Sequence, residues 1–99
     1  MNMQQILAQA QKAQRELNKK LAEIDAKEYK VTKGGAVTVT MMGSFEVKSV
    51  SIDKDAFDAE NKDMVEDMIV MAMNELVGQI QVEKDRVQEE VTGRRGMGF

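Results

Sequence analysis

The sequence contains no cysteine and no histidine. Disulfides and thiolate nucleophiles are therefore excluded, and the commonest general base and metal ligand is missing too. Tryptophan is absent and aromatics make up only 4% of the residues, which disfavours any mode of binding that stacks bases on aromatic rings. No apolar run approaches the roughly 20 residues that span a bilayer. The first residues, MNMQQILAQAQ, have neither the basic start nor the continuous apolar stretch of a signal peptide. These absences lead us to expect a soluble cytoplasmic protein that is not an enzyme and needs no metal or cofactor.

What is present fits one small domain. Ninety-nine residues lie near the lower end of independently stable sizes. A core of Met, Val, Ile, Leu and Ala over so short a chain is thin, and a second copy would reinforce it. The formal net charge is −3, but the charge is unevenly spread. Residues 1–35 carry seven Lys/Arg against four Asp/Glu, whereas residues 36–99 carry seven against thirteen. An acidic molecule can therefore still present a local basic surface.

Residues 34–53, GGAVTVTMMGSFEVKSVSID, carry the clearest local pattern. Val37, Val39 and Met41 alternate with polar partners, as in a half-buried strand. Gly43-Ser44 offers a two-residue hairpin turn, and Phe45 and Val47 restart the alternation beyond it. The phase then slips to Val50 and Ile52, which predicts a β-bulge at Lys48-Ser49. Upstream, Glu28–Thr32 is expected as a first strand, with Tyr29 and Val31 on one face and Lys33-Gly34-Gly35 as the turn. The result is an antiparallel meander with open edges.

Two long helical patterns flank it. The first is expected from about Met3 to about Lys27. Its seam runs through Met3, Leu7, Ala10, Gln14, Leu17, Leu21 and Ile24 in steps of four and three, as in a helix lying along another helix. Gln14 is a tolerated polar seam residue or a register-setting contact across a pair. Lys12, Arg15, Lys19 and Lys20 lie away from the seam. The spacings Glu16–Lys20 and Glu23–Lys27 suit pairs within the helix. The remaining cations form a solvated face or a phosphate-contacting ridge.

The second helix is expected from near Asp63, with Asp63 capping and Glu66 completing the box, to about Val91, with Thr92-Gly93 as its stop. From Met64 to Val77 it is apolar on most faces; beyond Gly78 it is mainly polar. At 1.5 Å per residue it would extend roughly 40 Å, longer than a compact chain of this size is wide. The polar half must project as an arm or pack on another chain, which argues for a dimer.

Other features weigh less. The four Met between Met64 and Met73 follow a buried helix, so core packing is expected there. Asp53, Asp55, Asp58 and Glu60 lack the EF-hand pattern, which leaves a solvated loop with a short helical turn around Phe57. Gly34-Gly35 precedes no helix N-terminus and is not a phosphate loop.

The order long helix, three-stranded meander, long helix resembles the YbaB/EbfC family of bacterial nucleoid-associated proteins. The stretches GGAVTVTMMGSFEVKSVSID and DMVEDMIVMAMNEL and the ending GRRGMGF carry the resemblance, which spans nearly the whole chain. The central V-x-V-x-M-x-G and E-V-K-x-V-x-I-D arrangement is its most specific part. The ending departs from the family in lacking the prolines common in its tails.

The resemblance implies an α+β fold (αβββα) that dimerises through the sheet region and projects its helices like the arms of a clamp. It implies a homodimer that binds DNA at the nucleoid, without a small-molecule substrate or membrane. Residues 1–92 are expected as the domain and 93–99 as a flexible Gly/Arg tail. Charge selects Lys12, Arg15, Lys19, Lys20, Arg86, Arg94 and Arg95 as the DNA-contacting set, acting on phosphates without reading bases. No helix-turn-helix signature or zinc ligand set points to sequence specificity. The alternative is a protein-interaction adaptor that uses the helical seam and projecting arm and does not bind DNA directly.

Overall fold

A computed structural model describes residues 2–97, with side chains described for residues 2–91. The chain runs α1 (Met3–Asp25), β1 (Glu28–Lys33), β2 (Val37–Met42), β3 (Val47–Ile52), two 3-10 turns (Lys54–Ala56 and Ala59–Asn61) and α2 (Lys62–Met97). The expected αβββα order is what is found. The Asn2 side chain caps α1 by accepting from the Gln4 N–H at 2.8 Å.

The three strands form one antiparallel sheet in the order β1-β2-β3. Gly34 and Gly35 both take positive φ in the first turn, as a tight hairpin requires. The expected bulge is present: Thr40 pairs with Ser49 and Met41 with Val47, so Lys48 is the extra residue. The extra residue keeps Val47 and Val50 on the same face as Met41 and Val39.

The second hairpin differs from expectation. Its loop has three residues, Gly43-Ser44-Phe45, closed by the Met42 N–H donating to Glu46 O at 2.8 Å and the Phe45 N–H donating to Met42 O at 2.8 Å. The left-handed residue is Phe45, with φ of 73°, in the position a three-residue loop reserves for that conformation. Phe45 therefore ends the turn instead of starting β3. Gly43 serves a different purpose. A Cβ there would lie 1.8 Å from the Ile24 carbonyl oxygen, and its N–H donates to Lys27 O at 2.9 Å. The missing side chain lets the hairpin seat against the end of α1.

α2 packs across β1 and β2. Val31, Val37, Val39, Met41, Val65, Ala72, Leu76 and Ile80 form the core, with Ile24 of α1. The partner row on β3 is left uncovered: Val47 and Val50 are 42% and 41% exposed. α2 itself starts at Lys62, directly after the second 3-10 turn. Asp63 consequently sits in its first turn and is not its cap. The Met-rich segment is only partly core. Met68 and Met73 pack against it, whereas Met64, Val70, Met71 and Val77 are exposed.

Helical backbone continues to Met97, past the stop expected at Thr92-Gly93. Thirty-six residues extend about 54 Å at the usual rise, and the molecule measures 69 × 25 × 14 Å. The second half of α2 projects with α1 lying antiparallel beside it. Ion pairs Lys20–Glu90 (3.4 Å), Lys27–Glu83 (3.4 Å) and Lys84–Asp25 (3.1 Å) set the register. Lys20 and Lys27 thus pair across to α2 and not with Glu16 and Glu23 along α1. Along the seam Ile24 is buried and Leu17 and Leu21 are half-buried, but Met3, Leu7, Ala10 and Gln14 are exposed. Gln14 donates to Asn18 on its own helix at 3.1 Å.

Candidate nucleic-acid interface

α1 places its cations by helical spacing. Lys12 and Lys19 are seven residues apart and Arg15 lies between them, so all three project from one side, opposite the row Leu17, Leu21 and Ile24. All three are exposed. Among the described residues none of the three has an ion-pair partner, whereas Lys20, Lys27, Lys33, Lys48, Lys62 and Lys84 each have one. The ridge is therefore a run of cations held on a rigid rod and left facing water. Glu16 and Glu23 border it on the side toward Lys20.

The other expected residues stand apart from this ridge. Lys20 turns toward α2 and pairs with Glu90. Arg86 lines a shallow groove of about 460 Å³ with Tyr29, Gln79, Val82 and Glu83. The register of the ion pairs puts Arg86 level with Ile24, twelve residues or about 18 Å along the arm from Lys12. Arg94 and Arg95 lie beyond the described side chains.

One polar cluster was not anticipated from the sequence. The Tyr29 hydroxyl donates to Glu83 at 2.6 Å, and Lys27 donates to the same carboxylate at 3.4 Å. Lys27 Nζ also stands 5.1 Å from the centre of the Tyr29 ring. Burial, together with the carboxylate beside it, pushes the Tyr29 hydroxyl up to about 12. The Tyr29 hydrogen bond, aided by Lys27 and Arg86, holds the Glu83 carboxyl below its usual range. This cluster fastens α2 to β1 where the arm leaves the sheet. Its partners are 54 and 56 residues apart in sequence, so no local spacing could have announced it.

The acidic loop proves to be structural. Asp53 accepts from the Asp55 N–H at 3.2 Å and Asp58 from the Glu60 N–H at 3.0 Å, each starting a 3-10 turn on either side of Phe57. Among the described residues no group of carboxylates is arranged to hold a metal ion, and no helix is long and apolar enough to cross a membrane.

The model of the YbaB/EbfC DNA-binding family matches residues 1–95. The chain belongs to the YbaB/EbfC DNA-binding family. It is 34% identical over 87 residues to a nucleoid-associated protein of Malacoplasma penetrans, covering 88% of this chain and 93% of that one. It is 36% identical over 96 residues to a nucleoid-associated protein of Lachnoclostridium phytofermentans, covering 96% and 81%. A third, from Lachnospira eligens, is 40% identical over 76 residues, covering 76% and 66%.

Proposed function

We propose that this protein is a nucleoid-associated, non-catalytic homodimer of the bacterial cytoplasm that binds duplex DNA through its phosphates. The observation that carries the reading is the ridge of Lys12, Arg15 and Lys19, exposed and, among the described residues, without ion pairs. Two copies offer six such cations. Each neutralised phosphate contributes about 0.9 to the slope of log affinity against log salt, so six contacts correspond to a slope of about −5. Arg86, Arg94 and Arg95 add contacts where the duplex reaches them. Lys20 contributes less, because meeting a phosphate requires it to leave Glu90. Phosphate contacts orient the duplex without reading its sequence.

The dimer is supported by apolar surface that one chain leaves open. Val47 and Val50 are uncovered, Phe57 is 78% exposed, and Val70 and Val77 are exposed on the side of α2 nearest β3. Beside them Ile52, Ala56, Phe57, Ala59, Val65 and Ile69 line an apolar hollow of about 470 Å³. Monomers rarely leave such contiguous apolar surface open. A second copy joined at this face covers it and sends two arms outward.

Fluorescence anisotropy of a labelled duplex over a salt series tests the reading, with the protein's mass measured in parallel. A dimer whose affinity falls steeply with salt is expected. Failure to bind even at low salt would refute DNA binding and favour the adaptor.

A further inference from the structure

The far end of the arm has a feature that phosphate binding does not use. Residues 2–11 contain no ionisable side chain; the first on α1 is Lys12. The segment is nonetheless patterned. Met3, Leu7 and Ala10 continue the seam that Leu17, Leu21 and Ile24 use to pack on α2, and Ile6 lies beside them. Met3 is 68% exposed, Leu7 55% and Ile6 42%.

The register explains the exposure. Paired residue numbers across the arm add to about 110 at every ion pair, so α2 at Met97 comes level with about Ala13. Residues Met3–Ala10 overhang the described helix. The seam there has the spacing of a coiled-coil contact and no described helix to meet.

Charge indicates what can cover it. Lower on the arm, docking is directed by opposite charges: Lys20 and Lys27 meet Glu90 and Glu83 of α2, and Asp25 meets Lys84. The side chains of the overhang carry no charge to steer a charged partner. Its flanks are Gln4, Gln5, Gln9 and Gln11, whose amides both donate and accept and so are complementary to themselves. Two overhangs laid antiparallel bring apolar seam onto seam with amides along the rim, which is the self-complementarity a two-fold contact needs. A basic membrane-binding helix would instead carry Lys or Arg on its polar face.

We propose that Met3–Ala10 is a self-association site, where the arm tip of one molecule docks on the arm tip of another. The inference rests on the sheet-joined dimer only for its consequence: dimers linked through their tips would hold two duplexes together.

The test measures full-length protein by sedimentation equilibrium over a wide concentration range, beside the double variant Ile6→Gln/Leu7→Gln. Both side chains are exposed, and Gln keeps the charge and the helix propensity. Conversion of a tetramer or larger even-numbered assembly in the parent to a dimer in the variant supports both the tip contact and the sheet-joined dimer. A parent dimer that becomes a monomer supports the tip contact and refutes the sheet-joined dimer. Equal masses for parent and variant at every concentration would overturn the tip contact. Because the chain has no cysteine, Gln9→Cys gives a unique spin-label site. A short inter-label distance, as for helices packed ~10 Å apart, is expected at high concentration and should vanish in Ile6→Gln/Leu7→Gln. Its absence from the otherwise unaltered protein would overturn the proposal.

Discussion

Around the sheet, side chains from four elements meet and Val37, Val39, Leu76 and Ile80 are cut off from water. Along the arm, two helices share one narrow seam, and polar pairs at Lys20, Asp25 and Lys27 hold them in register. The head is thus held by burial and the arm by little more than a stripe and some exposed ion pairs. That difference frees the arm's outer side. Since α1 needs only one face for packing, the opposite face can carry three cations at little cost to the fold.

The comparison predicts a graded response to mutation. The largest effect belongs to the head: Leu76→Ala should cost about 2–5 kcal/mol by urea denaturation, through lost burial and the cavity left. The half-buried Leu17→Ala on the arm should cost well under half as much. Equal costs would erase the distinction between the regions. Gly43→Ala comes next, at about 1–3 kcal/mol, because its Cβ would strike the Ile24 carbonyl oxygen; thermal unfolding with retained helical circular dichroism would report it.

Where the arm leaves the head, Tyr29→Phe should cost about 1–2 kcal/mol, a bond to a charged group reduced by partial exposure. Its pH dependence gives a sharper check. The Tyr29 hydroxyl titrates higher when folded than its ordinary value of 10.0. Its contribution is therefore complete below pH 10 and disappears as pH rises through about 12. Glu83, held low, contributes above the ordinary carboxylate range and loses its contribution as pH falls through its lowered value. Tyr29→Phe should flatten the alkaline limb of the stability profile. The smallest effect is on the arm: Lys20→Ala should cost less than about 1 kcal/mol.

Legibility in the sequence followed the range of the interaction. Alternation and phase were local, so the strands and the bulge at Lys48 were readable from Val37 to Ile52. Turn and cap details were less so. Gly43-Ser44 read as a two-residue hairpin turn, but the role of Gly43 is close approach to Ile24, a contact set by tertiary packing. Glu16 and Glu23 had the right spacing for Lys20 and Lys27, yet Glu90 and Glu83 on α2 took those partners. The cations of the candidate site were visible as a charge pattern; which of them stay unpaired emerged only when α2 folded back along α1.

The central claim is that Lys12, Arg15 and Lys19 carry DNA binding while the head carries the fold. Its most direct test is the triple variant Lys12→Glu/Arg15→Glu/Lys19→Glu, assayed by duplex anisotropy at low salt beside the parent protein. We predict that affinity and its salt dependence are lost while oligomer mass is unchanged and unfolding free energy shifts by no more than about 1 kcal/mol, as for exposed sites. Binding retained with the parent's salt slope would contradict the account.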